Sequence, residues 1–247
     1  HSIRRRQRQM CIRDRIYGDG HLIISGDLFD RGFHITECMW LLYKLETEAE
    51  LQGGKVHLIL GNHEIMNMTD DWRYVEVKYF NNASLMGKRM AELYDSNTEL
   101  GRWLRSKNII EKVGKYAFLH GGISPQLAAL NLTYNQINDY GRIEINGLSC
   151  PNNDCFTVNG SNGVYWYRGM VNQTLTQQQV DEFLDSLDVQ RVIVGHTKGS
   201  TIRSMYNDRV MAIDMYHVDN FNNGYMKALQ FELGCFYIFH TKKSMIQ

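Results

Sequence analysis

Short apolar runs along this chain are each followed directly by a polar turn that contains glycine. The runs at 21–25, 56–60, 116–119 and 191–194 are rich in aliphatic and aromatic residues and have the length of buried strands. The turns that follow them carry Asp, Asn or His beside Gly. Because open sheets place ligand-binding side chains at the ends of their strands, we expect these turns to form a binding site.

Segments with apolar residues at helical spacing lie between the strands. Residues 33–51 are predicted to form a helix that ends at Gly53 and Gly54. Residues 176–187 are predicted to form an amphipathic helix whose Thr-x-x-Gln start resembles a capping box. Two further helices are predicted at 97–106 and 135–145.

The last third of the chain is predicted to consist mostly of strands. They are expected at 209–213, 226–231 and 235–239, whereas the Asn-, Gly- and Ser-rich residues 147–163 are predicted to form a loop. Since the first half alternates strand and helix, the pattern favours an α/β protein with more than one sheet.

Composition and charge narrow the class of protein. The chain has 247 residues, of which 43% are hydrophobic and 22% charged, as in ordinary globular domains. No run reaches the roughly 18 apolar residues that span a membrane. Residues 1–15 carry six Arg and one Asp, and the remainder holds 21 basic and 26 acidic residues. This mildly acidic body argues against nucleic-acid binding.

The Arg-rich start is interpreted as a non-native or disordered tail, which leaves residues 16–247 as a single catalytic domain. The first residue is His rather than Met, so a targeting segment could precede it, and both a cytoplasmic and a periplasmic or secreted location stay open. Cys38 and Cys235 are expected in the core, whereas Cys150 and Cys155 could be a disulfide or free thiols.

The polar turns supply a coherent set of metal ligands. Asp27 offers a carboxylate that can bridge two cations, and Asn62 offers a neutral amide oxygen. His120 and His196 offer imidazole nitrogens, which suit zinc, iron or manganese better than magnesium. Each motif alone is a weak signal, but all four in order, each after an apolar run, are specific.

The same motifs carry a family resemblance. Gly-Asp-x-x-Asp-Arg-Gly at 26–32, Gly-Asn-His-Glu at 61–64, His-Gly-Gly at 120–122 and Gly-His at 195–196 resemble the calcineurin-like metallophosphoesterase superfamily. The Asp-Arg-Gly ending and the single His of the last motif are similar to its phosphoprotein phosphatase branch, and among these to bacterial Shewanella-like phosphatases. The resemblance covers about residues 17–240.

This resemblance implies a four-layer α/β/β/α sandwich of two mixed sheets and two divalent metal ions, Mn, Fe or Zn. It assigns Asp27, Asn62, His120 and His196 as metal ligands, with Asp27 bridging the two ions. A metal-activated water would attack the phosphorus atom.

The remaining roles also come from the resemblance. His63 would protonate the leaving oxygen and Asp30 would orient it, while Arg31 and Arg168 would hold the phosphate oxygens. The implied substrates are phosphoproteins or small phosphate esters, and the sequence does not fix the oligomeric state.

One motif of the family has no counterpart here. An Asp-x-His-Gly segment, which would supply further ligands to the first metal, is not found before Gly26. We therefore expect an N-terminally truncated chain whose first strand is missing, with at most one tight metal site and impaired catalysis. Two alternative functions follow: a dinucleoside-polyphosphate hydrolase, or a non-catalytic module that binds phosphoryl groups or metal.

Overall fold

The computed structural model describes residues 18–242, which divide into two compact units. The first unit comprises residues up to 108 together with 141–149, and the second comprises 109–140 and everything from 150 onward. The predicted tail at 1–15 lies outside the described residues, and its non-native character and the single domain at 16–247 stay predictions.

The first unit is built on two parallel strands joined by a long helix. Strand β1 (His21–Ile24) pairs with β2 (Lys55–Leu58), with His21 opposite Lys55. Helix α1 (Ile35–Glu50) lies between them in sequence and packs against β2. Four shorter helices follow: α2 (Asn62–Met68), α3 (Val77–Leu85), α4 (Met90–Leu93) and α5 (Glu99–Arg105).

Helix α1 follows the predicted apolar spacing. It buries Ile35, Met39, Leu42 and Ala49. The chain turns after it at Gly53, where φ is +79°, a conformation that glycine adopts without steric cost. The N–H of Gly54 donates to the carbonyl of Ala49 at 2.9 Å, which satisfies one carbonyl at the helix end.

The second unit contains a five-stranded mixed sheet. Its strands are β3 (Ile110–Val113), β4 (Tyr116–Leu119), β5 (Arg191–Val194), β6 (Arg203–Met205) and β7 (Val210–Ala212). They lie in the order β3-β4-β5-β7-β6. The three central strands run parallel and the two edge strands run antiparallel to their neighbours. This arrangement puts the carboxyl ends of β4 and β5, with the His-containing turns that follow, at one edge of the sheet.

A long hairpin and several helices complete the second unit. Strands β8 (Tyr225–Glu232) and β9 (Cys235–Lys242) form the hairpin. The helices are α6 (Pro125–Ala128), α8 (Asn153–Asn159), α9 (Gln177–Ser186) and α10 (His217–Asn222). Helix α7 (Tyr134–Ile145) contributes residues to both units. In the described part of the chain, no helix combines the length and apolar character needed to cross a membrane.

The structure corrects two expectations from the sequence and resolves a third that was left open. The α/β class is confirmed, but residues 147–163 are not all loop, because α8 forms within them. The expectation that Cys38 and Cys235 lie in the core is wrong, since both are exposed free thiols. Cys150 and Cys155, which the sequence left open, form a disulfide with their Cα atoms 5.4 Å apart.

Candidate active site

The turn after β1 holds its two aspartates in an uncommon backbone conformation. The φ angles of Asp27 and Asp30 are +61° and +76°, in the left-handed region that few residues with a side chain adopt. Such conformations persist where surrounding contacts hold them, and they cluster at functional sites. The turn therefore fixes the directions of both carboxylates.

Glu64 supplies the contacts that hold this turn. Its buried carboxylate accepts hydrogen bonds from the backbone N–H groups of Asp27 (2.8 Å), Leu28 (2.6 Å) and Phe29 (3.2 Å). It also accepts one from the N–H of Gly61 (2.7 Å), at the start of α2. One side chain thus ties the Asp turn to the Gly-Asn-His-Glu turn. Glu64 therefore serves as the hydrogen-bonding partner of both turns.

Helix α2 delivers Asn62 and His63 from its first turn, and both side chains are buried. The backbone N–H of His63 donates to Asp27 Oδ1 at 3.3 Å. His63 Nε2 lies 3.9 Å from Asp27 Oδ2. The first unit therefore brings the predicted acid close to a predicted metal ligand.

Asp30 and His63 form a hydrogen-bonded pair. His63 Nδ1 bonds to Asp30 Oδ2, and the Asp30 side chain is fully buried. Asn67 Nδ2 donates to Asp30 Oδ1 at 2.6 Å and to the His63 carbonyl at 2.9 Å. With Nδ1 occupied by a carboxylate, the ring orientation is fixed and Nε2 is the nitrogen left for proton transfer. Sequence reasoning missed Asn67, although its position one helical turn after His63 was a usable signal.

Arg31 and Tyr74 lie beside this pair. The Tyr74 ring centroid is 5.5 Å from that of His63, and the Arg31 guanidinium carbon is 5.4 Å from the Tyr74 centroid. The Arg31 side chain is exposed and makes no hydrogen bond or ion pair with the residues at 18–242 that the structure describes. Its guanidinium donors therefore remain available for an anion. Tyr74 lies in a polar segment without a recognisable motif, so the sequence gave no signal for it.

The second unit brings the other two predicted ligands together. His120 follows β4 and His196 follows β5, and both side chains are buried. His120 Nε2 lies 3.1 Å from His196 Nδ1. His196 has a φ of +59°, so it too is held in a left-handed turn.

The glycines after His120 are required by a close backbone approach. The N–H groups of Gly121 and Gly122 both donate to the Val164 carbonyl, at 2.7 and 3.2 Å. A Cβ on Gly121 would come within 2.9 Å of Trp166 N and Tyr165 C. Only glycine lets the His120 turn pack this tightly against the segment that contains Arg168.

Arg168 lies next to His196. Its Nη1 donates to the His196 carbonyl at 2.5 Å and to Thr197 Oγ1 at 3.3 Å. The Trp166 ring is 5.9 Å from the His196 ring. The segment 165–169 is therefore anchored at the predicted ligand, while the phosphate contact of Arg168 stays a prediction.

The chemistry of the predicted ligands fits a divalent metal. The first unit offers a carboxylate and an amide oxygen, at Asp27 and Asn62, and the second offers two buried imidazoles with nitrogens 3.1 Å apart. Mixed nitrogen and oxygen ligands of this kind suit Mn, Fe or Zn.

Comparison with known proteins agrees with these motifs. A model of the calcineurin-like phosphoesterase family matches residues 9–199. The chain belongs to this family of metal-dependent phosphoesterases.

The similar proteins include Shewanella-like protein phosphatases. The chain is 26% identical to Shewanella-like protein phosphatase 2 of Arabidopsis thaliana, over 82% of this chain and 63% of that protein. It is 29% identical to Shewanella-like protein phosphatase 1 of Plasmodium berghei, over 81% and 58% respectively. The chain thus spans about three fifths of the length of these relatives.

A solved structure with a similar fold is the cold-active protein-tyrosine phosphatase of a psychrophilic Shewanella species. It is 30% identical, with a TM-score of 0.83 over 92% of this chain and 70% of that one. A second structure of a cold-active protein tyrosine phosphatase is 34% identical, with a TM-score of 0.77 over 81% and 60%. These matches confirm the α/β metallophosphoesterase fold that the sequence predicted.

Proposed function

We propose that this protein hydrolyses phosphate monoesters on proteins, with phosphotyrosine as a substrate. The observation that carries the proposal is the buried Asp30–His63 pair, in which Asn67 also holds the carboxylate. His63 is not among the predicted metal ligands, so its orientation by a buried carboxylate favours a role in proton transfer. The names of its relatives, Shewanella-like protein phosphatases and a cold-active protein-tyrosine phosphatase, support the substrate class.

His63 acts as the general acid in this proposal. Asp30 orients the ring through Nδ1, so that Nε2 faces the leaving oxygen of the ester and gives it a proton. Without that proton an alkoxide or phenoxide would leave unassisted, and a positioned acid contributes about 10²–10⁴-fold to such a step.

Two arginines bind the phosphate oxygens. Arg31 presents a guanidinium without an internal ion pair in the described chain, and Arg168 presents one beside His196. The planar fork of each guanidinium matches two oxygens of a phosphate. Divalent ions held by Asp27, Asn62, His120 and His196 would supply charge neutralisation and an activated water.

Phosphate release from peptides tests this function. The purified chain is assayed with Mn²⁺ on a phosphotyrosine and a phosphoserine peptide, beside His63→Asn and His34→Asn. His34 is the matched control because its side chain is 79% exposed. We expect His63→Asn to lower kcat about 10²–10⁴-fold and His34→Asn to leave it unchanged.

Two results would reject the proposal. Full activity of the His63→Asn variant would show that His63 is not the general acid. Absence of phosphate release from either peptide, together with turnover of diadenosine tetraphosphate, would assign the chain to dinucleoside-polyphosphate hydrolysis instead.

A further inference from the structure

Tyr74 lies beside His63, the predicted general acid. Its ring is 46% exposed and its centroid is 5.5 Å from that of His63. If His63 protonates the leaving oxygen, the carbon attached to that oxygen lies within a few ångströms of the imidazole. A large, partly exposed side chain beside the imidazole is therefore a candidate to contact the leaving group.

The surroundings of Tyr74 are aromatic and cationic, but their net charge is small. Arg31 and Arg73 have guanidinium carbons 5.4 and 5.9 Å from the Tyr74 centroid. Arg73 is paired with Asp71 through two hydrogen bonds, and this pairing lowers the pKa of the Asp71 carboxyl. Since Arg31 is assigned to the phosphate and Arg73 is neutralised, little positive charge is left to select an acidic flanking residue.

We propose that Tyr74 is a specificity-determining residue that favours phosphate esters with an aromatic leaving group. The exposed part of its ring would pack edge-to-face or offset against a phenyl ring bonded to the ester oxygen. An alkyl leaving group, as in phosphoserine, is too short to make that contact. This inference rests on the proposed phosphatase function and adds a substrate preference to it.

Binding of phosphonates tests the inference without turnover. In the presence of Mn²⁺, isothermal titration compares phenylphosphonate, cyclohexylphosphonate and methylphosphonate on the native chain, Tyr74→Phe and Tyr74→Leu. Tyr74→Phe keeps the ring, whereas Tyr74→Leu keeps apolar bulk without it. Cyclohexylphosphonate is the matched ligand, because it has the size of phenylphosphonate and no π system.

We expect Tyr74→Leu to lower the affinity for phenylphosphonate about 3- to 10-fold, which corresponds to the energy of one aromatic pair. Its affinity for methylphosphonate should be unchanged. Tyr74→Phe should bind all three as the native chain does, and the native chain should prefer phenyl to cyclohexyl.

Other outcomes overturn the inference at different levels. Equal losses for phenyl- and methylphosphonate in Tyr74→Leu, or no loss at all, reject the specificity role while the proposed function stands. If Tyr74→Leu does not fold, equal affinity of the native chain for the phenyl and cyclohexyl ligands rejects it. A native chain that binds none of the three phosphonates but releases phosphate from the phosphotyrosine peptide rejects the inference alone, whereas a chain that does neither rejects the inference and the proposed function.

Discussion

The aspartates after the first strand depend on one buried carboxylate. Asp27 and Asp30 both have positive φ, and Glu64 accepts hydrogen bonds from three successive N–H groups of their turn. Backbone in this region costs on the order of 1–3 kcal/mol per residue, so it needs compensating contacts. At the residue scale, Glu64 gives the carboxylates of Asp27 and Asp30 their directions.

Glu64→Gln should destabilise the first unit. The amide has one acceptor oxygen and a donor group that would face backbone N–H groups, so we expect a loss of about 2–4 kcal/mol in unfolding free energy. Urea unfolding measures it. Glu92→Gln is the matched control, because Glu92 has the same capping position in α4 but is partly exposed, so its loss in unfolding free energy should be clearly smaller. Similar losses in both variants would contradict the role of Glu64.

Tyr94 is expected to make the free energy of unfolding depend on pH in the alkaline range. Burial raises the pKa of its phenol to about 12, from an ordinary value of 10.0. The neutral phenol therefore stabilises the folded state fully below pH 10, and this contribution falls as the pH rises towards 12. Relative to Tyr94→Phe, the native chain should lose about 1 kcal/mol between pH 8 and pH 11, measured by urea unfolding. A constant difference between the two proteins would show that Tyr94 titrates normally.

At the scale of elements, the turn that follows β4 packs against the segment 164–168. The turn that carries His120 packs against the backbone of Tyr165 and Trp166, and it can do so because Gly121 has no side chain. The positions of His120 and Arg168 are thereby linked through main-chain contact.

Gly121→Ala should weaken this link. The added Cβ would meet backbone atoms at 2.9 Å, so we expect the free energy of unfolding to fall by about 1–3 kcal/mol. We also expect Mn²⁺ to bind more weakly, because His120 is displaced. Gly114→Ala is the control: its φ is +59° but the space around its Cβ is open, so it should cost about 1 kcal/mol and leave Mn²⁺ binding unchanged. Equal Mn²⁺ affinities for both variants, measured by titration, would contradict the link.

Elements with a clear apolar period were predictable from the sequence. Helices α1 and α9 and strands β1, β4 and β5 lie within two residues of their predicted ends. Helix α8 was missed because it is short and most of its residues are polar. It is stabilised by the side chain of Asn152, which accepts from Cys155 N–H at 3.0 Å, and by the disulfide from Cys155 to Cys150. The Asn cap and the two cysteines were visible in the sequence, but neither indicated a helix.

At the scale of the whole molecule, the motifs predicted the family but not the supporting contacts. Asp30 and His63 were expected to pair, and they do. Asn67, which holds Asp30, and Tyr74, which flanks His63, were not expected, because their roles depend on where separate segments meet. Left-handed backbone at His196 and the two aspartates was equally invisible, since those residue types do not require it.

We propose that the chain binds a divalent metal through Asp27, Asn62, His120 and His196, the ligands that the family resemblance assigns. Titration calorimetry with Mn²⁺ on the native chain, Asp27→Asn, His120→Asn and His196→Asn tests it directly. His217→Asn is the control, because the His217 side chain is 62% exposed and lies outside the four motifs.

We predict that each of the three ligand variants binds Mn²⁺ at least about tenfold more weakly than the native chain, while His217→Asn binds it equally well. Native-like Mn²⁺ affinity in Asp27→Asn or in both histidine variants would contradict the claim.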